Sequence, residues 1–282
     1  HNGIRRPRMG RRPHNLRDYV IHTMNTSEIV TASPTVIEPT SIWYAAEQLL
    51  TVLGRSPENR FLFLHGPAGT GKTHAAQHIG TQDAVVITMT DETSAADLLG
   101  YYINKGNDGF SWQDGPATKA WRLGKRLVIN EIDKANGDVE SLLHTVLDGK
   151  GSAKMDLITG EVLKPAEGFT CVATSNLTPD EALRTEGMRS RFSQVLNINE
   201  PHPAMINLLP MEQRKAAATL ATHPNLDERI SMRSWFTYNA LVPLAGQDIA
   251  ATAVFGKERA KAIIDSINVA KATAVPPTVD TI

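Results

Sequence analysis

The sequence predicts an α/β fold: a parallel sheet covered by helices on both faces, followed by a small all-helical domain. Three observations carry this. Between residues 60 and 200, short apolar runs of strand length alternate with segments of helical period. The first of these runs feeds a glycine-rich loop that opens a helix. After Pro201 the strand-like runs stop and only helical patterns remain. Strand–helix alternation favours parallel pairing, because parallel neighbours need long crossover connections and helices supply them.

The chain has 282 residues, 41% hydrophobic and 21% charged, enough for one large core or two smaller ones. No apolar run approaches the ~18 residues of a membrane helix, and nothing near the start has the form of a secretory leader. The single cysteine, Cys171, excludes an intrachain disulfide and fits a reducing, cytoplasmic setting. It lies in an apolar run, where a buried inert thiol is expected. Charge is uneven. Residues 1–23 hold six arginines (Arg5, Arg6, Arg8, Arg11, Arg12 and Arg17) against Asp18, so this segment carries +5 and the remainder −6. Such an arm suits nucleic acid. The chain starts with His, however, and Met24 opens a more ordinary sequence, so residues 1–23 are expected to be an extension from outside the natural reading frame. Residues 24–40, rich in Thr, Ser, Pro and Val without period, read as a disordered lead-in.

Ile42–Leu53 carries apolar residues at helical spacing, with Thr40 or Ser41 as its cap and Gly54 beyond its end. Phe61–Leu64 is the first buried strand. Gly66, Pro67, Ala68, Gly69, Thr70, Gly71, Lys72 and Thr73 then spell G-x-x-x-x-G-K-T, and His74–Ile79 continues as helix. Strand, glycine loop and helix together make a phosphate cradle: the loop turns its N–H groups inward, and the helix start adds partial positive charge. Lys72 can reach the β- and γ-phosphates of a bound nucleotide, and the Thr73 hydroxyl can ligate Mg²⁺. His74 and His78 lie four apart, but no third ligand is in view, and hydrogen-bonded or solvated histidines are expected.

Ala84–Met89 is a second strand and Ser94–Tyr101 a short helix. Residues 104–115 form a glycine-rich loop or hairpin carrying Phe110 and Trp112. Pro116–Leu123 is helical, with Pro in the first turn and Gly124 past the end. Leu127–Glu131 is a third strand, Asp138–Leu147 an amphipathic helix, and residues 153–166 a hairpin around Thr159-Gly160. Phe169–Thr174 is a fourth strand, Asp180–Arg184 a short helix, and Gln194–Ile198 a fifth strand. Residues 203–209, 211–221, 231–241 and 257–271 are helical, placing a second domain at about 201–273 after a first at 41–200. Residues 274–282 contain two prolines and cannot continue a helix. Ligands of parallel sheets sit at the carboxyl ends of the strands. Lys72, Thr73, Glu131 and Asn176 therefore converge on one place.

Seven ordered motifs, over about residues 40–245, resemble an AAA+ ATPase of the dynein-related, MoxR-like branch. They are the phosphate loop, Asp97-Leu-Leu-Gly, Gly115–Trp121, Leu127–Ala135, Ala173-Thr-Ser-Asn176, Arg189-Ser-Arg-Phe192 and Ser231-Met-Arg233. The resemblance implies a P-loop NTPase domain of three α/β/α layers and a small helical lid. It implies ATP and Mg²⁺ as ligands, and a homo-oligomeric ring, usually a hexamer. Asn176 matches sensor 1, which orients the attacking water. Arg191 matches the arginine finger, acting on nucleotide held by the neighbouring subunit, and Arg233 matches sensor 2. Residues 153–166 resemble the pre-sensor 1 insertion and 104–115 the insertion facing the central pore. From the residues alone, Arg191 can equally be a cation at a helix end and Asn176 a turn residue.

The family usually ends its third strand with Asp-Glu, and here Asn130-Glu131 stands instead. Asn130 keeps an acceptor oxygen beside the metal but removes a charge, while Glu131 can polarise water as a general base. Hydrolysis is expected, slowed or with an altered metal need. The leading expectation is a ring ATPase that remodels or activates a partner, the resemblance implying a separate von Willebrand A-type protein. The alternatives are a nucleotide-switched scaffold with little hydrolysis and a nucleic-acid motor, the latter disfavoured because the chain beyond its arm is acidic.

Overall fold

The computed structural model describes residues 37–81, 83–106, 109–148 and 153–273. The readings of the basic arm, most of the lead-in and the C-terminal tail fall outside the described residues.

Helix α1 (Ile42–Val52) starts at Ser41, whose hydroxyl accepts from the Trp43 amide at 3.1 Å. Strand β1 (Phe61–His65) leads through the glycine loop into α2 (Lys72–His78), and β2 (Val85–Thr88) follows. Ser94 and Asp97 form a reciprocal capping box that starts α3 (Ala95–Leu99). The helix is shorter than expected: Gly100 ends it, and Tyr101 already belongs to β3 (Gly100–Asn104). That strand pairs antiparallel with β4 (Phe110–Asp114), so the glycine-rich segment is a hairpin. Helix α4 (Pro116–Leu123), β5 (Arg126–Asn130) and α5 (Gly137–Val146) come next. The two-residue strands β6 (Met155–Asp156) and β7 (Val162–Leu163) form a second hairpin. Strand β8 (Thr170–Ser175), α6 (Pro179–Ala182), α7 (Glu186–Arg191) and β9 (Gln194–Asn197) complete the α/β part.

The sheet has the order β2-β5-β8-β1-β9 and every pairing in it is parallel. Its central strands are buried on both faces, which is why they read as unbroken apolar runs. Their period of two still sorts the residues. Phe61, Phe63, Leu127, Ile129, Cys171 and Ala173 pack with Leu98, Trp121 and Leu143 from α3, α4 and α5. Leu62, Leu64, Val128 and Val172 pack on the other face with Trp43 and Leu50 of α1 and Ala75 and Ala76 of α2. Complete burial pushes the Cys171 thiol well above its usual range, so it is an inert core group. Arg126 opens β5 from inside the protein. Its guanidinium donates to the carbonyls of Leu50, Ala76 and Ile79 at 2.8, 3.1 and 2.5 Å, capping the ends of α1 and α2.

After the sheet come α8 (Pro203–Asn207), α9 (Met211–Ala221), α10 (Met232–Ala245), α11 (Gln247–Phe255) and α12 (Lys257–Thr273). They close on their own core, centred on Met232, Trp235, Tyr238, Phe255, Ile263 and Ile267. Helix α10 passes through Pro243 to Ala245, beyond the expected end at Leu241, with Leu241 and Val242 packed against that core. Helix α11 was not expected: its buried contacts include the small Ala250 and Ala251, which leave little apolar period in the sequence.

The two hairpins are tied together. Arg122 on α4 donates to Asp114 at 2.7 Å and, with both terminal nitrogens, to Glu161 at 2.7 and 2.9 Å. Asp114 also accepts from the Trp112 indole at 2.7 Å. Arg122→Ala should speed amide hydrogen exchange in residues 100–114 and 155–163 together, while lowering the thermal midpoint little, since exposed ion pairs contribute about 0–1 kcal/mol. Faster exchange in one hairpin alone would disprove the coupling.

Candidate functional site

The glycine loop is shaped by what presses on it. Gly66 has φ of 131°, and a Cβ there would sit 2.2 Å from the Ile198 carbonyl oxygen. Gly69 has φ of 80°, and its Cβ would meet the Ser231 side chain at 2.9 Å. A side chain at either position would push the loop off β9 or off the start of α10. The loop is also fixed by the His202 amide, which donates to the Thr70 carbonyl at 2.9 Å. His202 in turn contacts Glu47 at 2.9 Å and packs its ring against Trp43.

Lys72 is only 6% exposed. Its ammonium donates to the carbonyls of Gly66 and Pro67 at 2.7 and 2.8 Å and to Asn176 Oδ1 at 3.3 Å. Burial pushes the ammonium down to about 8. One cation thus joins the loop after β1 to the residue after β8, two elements 104 residues apart. Loop, lysine and helix start fit a polyphosphate, and Thr73 stands exposed on the first turn of α2.

Asn130 closes β5 with its side chain buried. Its Oδ1 accepts from the Thr174 hydroxyl at 3.2 Å and its amide donates to the Thr88 hydroxyl at 3.4 Å. With Thr73 it offers oxygen donors without charge, a set that Mg²⁺ accepts when phosphates supply the negative charge. Glu131 follows with φ 53° and ψ 48°, and is the one non-glycine residue with positive φ among the described residues. Such a conformation costs of order 1–3 kcal/mol and is held in place by its surroundings. Here it turns the chain from β5 into a 3₁₀ turn at Ile132–Lys134, leaving the Glu131 side chain exposed.

Arg233 is exposed on the first turn of α10, whose cap residue Ser231 packs on Gly69. Arg191 is held by other groups: Nε donates to the His144 carbonyl at 3.0 Å and Nη1 to the Gly187 carbonyl at 3.1 Å. His74 and His78 stack at 4.3 Å, and His78 Nδ1 lies 2.9 Å from the His74 carbonyl.

Residues 61–192 match the family model of the AAA domain, dynein-related subfamily. Protein NorQ of Paracoccus denitrificans is 34% identical over 148 residues, 51% of this chain and 54% of that protein. The denitrification regulatory protein NirQ of Stutzerimonas stutzeri is 35% identical over 118 residues, 41% of this chain and 42% of the relative. Protein CbbQ of Hydrogenophilus thermoluteolus is 28% identical over 147 residues, 50% and 54% of the two chains. The matched region belongs to the AAA+ proteins, in their dynein-related, MoxR-like branch.

The chain spans about half the length of the curated relatives it matches. Within its AAA domain, Lys72, Asn176 and the loop carbonyls share one hydrogen-bonded cluster, and Asn130 and Glu131 lie at the same carboxyl edge of the sheet. His202, which fixes the AAA loop from outside the sheet, was not among the expected residues, because a histidine after a proline carries no sequence signal for that contact. Tyr102 was also missed. Pairing of Tyr102 with Trp112 and of Asn104 with Phe110 puts Tyr102, Phe110 and Trp112 on one face of the first hairpin. No helix among the described residues is long and apolar enough to cross a membrane.

Proposed function

We propose that this chain is an ATPase that hydrolyses ATP in a homo-oligomeric ring and remodels or activates a partner protein. The observation that carries the reading is the Lys72 ammonium, shared between the glycine loop and Asn176. It links phosphate binding to the residue that would orient the attacking water. Lys72 and the loop N–H groups would hold the β- and γ-phosphates, and Thr73 and Asn130 would hold Mg²⁺, which when bound would supply neutralisation of phosphate charge. Glu131 polarises water, Asn176 orients it, Arg233 carries the state of the site into the helical region, and Arg191 serves the next subunit's nucleotide. Two relatives are named denitrification regulatory proteins, in keeping with a regulatory role, and the family resemblance makes a separate protein of von Willebrand A type the proposed target. The exposed aromatic face of the first hairpin is the surface proposed to meet it, with Phe110 71% exposed. The test is ADP release by purified chain alongside native mass. A monomer with no turnover at saturating ATP and Mg²⁺ sinks the reading.

Asn130 favours a second reading, a nucleotide-switched scaffold with little hydrolysis. Asn130→Asp separates the two. An Asp can accept from both threonine hydroxyls, so the local geometry is kept while a negative charge is added beside the metal. Turnover should be equal or faster and the midpoint of a Mg²⁺ titration should fall. Collapse of activity would show a site built around the amide.

A further inference from the structure

Resting on the proposed hydrolysis, we infer that Asp133 and Ser175 are positioning residues that set Glu131 and Asn176 against each other. Neither is assigned a contact with the phosphates. The Ser175 hydroxyl donates to Asp133 Oδ1 at 2.5 Å and accepts from the Leu177 amide at 2.9 Å. The second bond curls residues 175–177 into a side-chain-closed turn. Asn176 is the corner of that turn, and its Oδ1 meets the Lys72 ammonium. Asp133 lies in the 3₁₀ turn that begins immediately after Glu131. Its backbone oxygen accepts from Arg184 at 3.3 Å.

One carboxylate therefore spans the two turns that carry the proposed base and the proposed water-orienting amide. Ser175 is 2% exposed, so its hydroxyl has no water to exchange for this partner. Glu131 is in a conformation that costs free energy, and its turn needs an anchor. The ladder between β5 and β8 ends at Ile129 and Ala173, short of both turns. Beyond it, Asp133–Ser175 is a direct side-chain bond between the segments that follow the two strands. It continues outward the Thr174–Asn130 bond at their ends.

Asp133→Ala and Ser175→Ala should each lower kcat about tenfold to a hundredfold, the scale of a small misplacement of reacting groups. KM for ATP and the affinity for a fluorescent ATP analogue should change little. Asp133→Asn retains an oxygen that can accept from Ser175 and should recover most of kcat. Without nucleotide, hydrogen exchange at the Leu177 amide should quicken in both alanine variants. The double alanine variant should be no slower than the worse single one, because both remove the same bond. A folded Asp133→Ala protein with full kcat, or with unchanged Leu177 exchange, overturns the inference and leaves the ATPase reading intact. If Asp133→Ala does not fold, the same two measurements on Ser175→Ala decide. A wild-type chain that binds ATP but never hydrolyses it overturns both.

Discussion

Lys72→Ala abolishes turnover in the expected result and weakens nucleotide binding roughly tenfold to a hundredfold, the equivalent of about 1.5–3 kcal/mol for hydrogen bonds to a charged group. The ammonium is the cation bonded to the glycine loop. It also fixes Asn176, so one substitution removes the charge that meets the phosphates and frees the residue that would orient water. The fold should survive. Burial acts against the Lys72 charge, as its lowered proton affinity shows, so removing the group relieves a desolvation cost while it removes hydrogen bonds. A thermal midpoint close to that of the unsubstituted protein, with ADP release at background, is the pattern to look for. Normal ADP release from Lys72→Ala would remove the phosphate-cradle assignment and everything built on it.

The central part of this site was legible because it depends on short-range signals. A glycine loop needs only a strand before it and a helix after it, and both patterns span a few residues. The sheet was legible because buried parallel strands are unbroken apolar runs, as in Phe61–Leu64 and Leu127–Ile129. What the sequence hid depends on strand order. Asp133 and Ser175 are 42 positions apart and meet only because β5 and β8 are neighbours. Tyr102 joins Phe110 and Trp112 only through hairpin register, which a one-residue slip would reverse. The left-handed turn at Glu131 had no signal either, since glutamate rarely adopts it and the sequence offers no glycine there. Arg126, just before the strand expected at Leu127–Glu131, carries no sequence signal of burial. Its burial follows from two helix ends that converge on the foot of the sheet and leave carbonyls for it to satisfy.

Arg191 poses the sharpest choice between structure and chemistry. Its guanidinium clamps α5 to α7 through the carbonyls of His144 and Gly187. A clamp predicts that Arg191→Ala lowers the thermal midpoint and slows hydrolysis only in proportion to unfolding, since hydrogen bonds from a charged donor contribute about 1.5–3 kcal/mol each. A finger acting on the neighbouring subunit predicts something else. ATP binding stays near normal, because the glycine loop and Lys72 are untouched, while hydrolysis falls by ~10³ or more, on the scale of arginine fingers in other phosphoryl-transfer systems. The two carbonyl bonds then serve to aim the side chain at the end of α7. Arg191→Lys sharpens the contrast: it keeps the charge but not the planar fork, so a finger should lose most of its effect. The decisive measurement is mixing. Rings assembled from Arg191→Ala and Lys72→Ala subunits contain some interfaces with an intact loop from the first variant and an intact arginine from the second. Two inactive proteins should therefore regain part of the wild-type turnover, with mixed rings visible by native mass. Mixed rings without any recovery, or full activity in Arg191→Ala alone, would leave Arg191 as a clamp between helices and remove the shared site at the subunit interface.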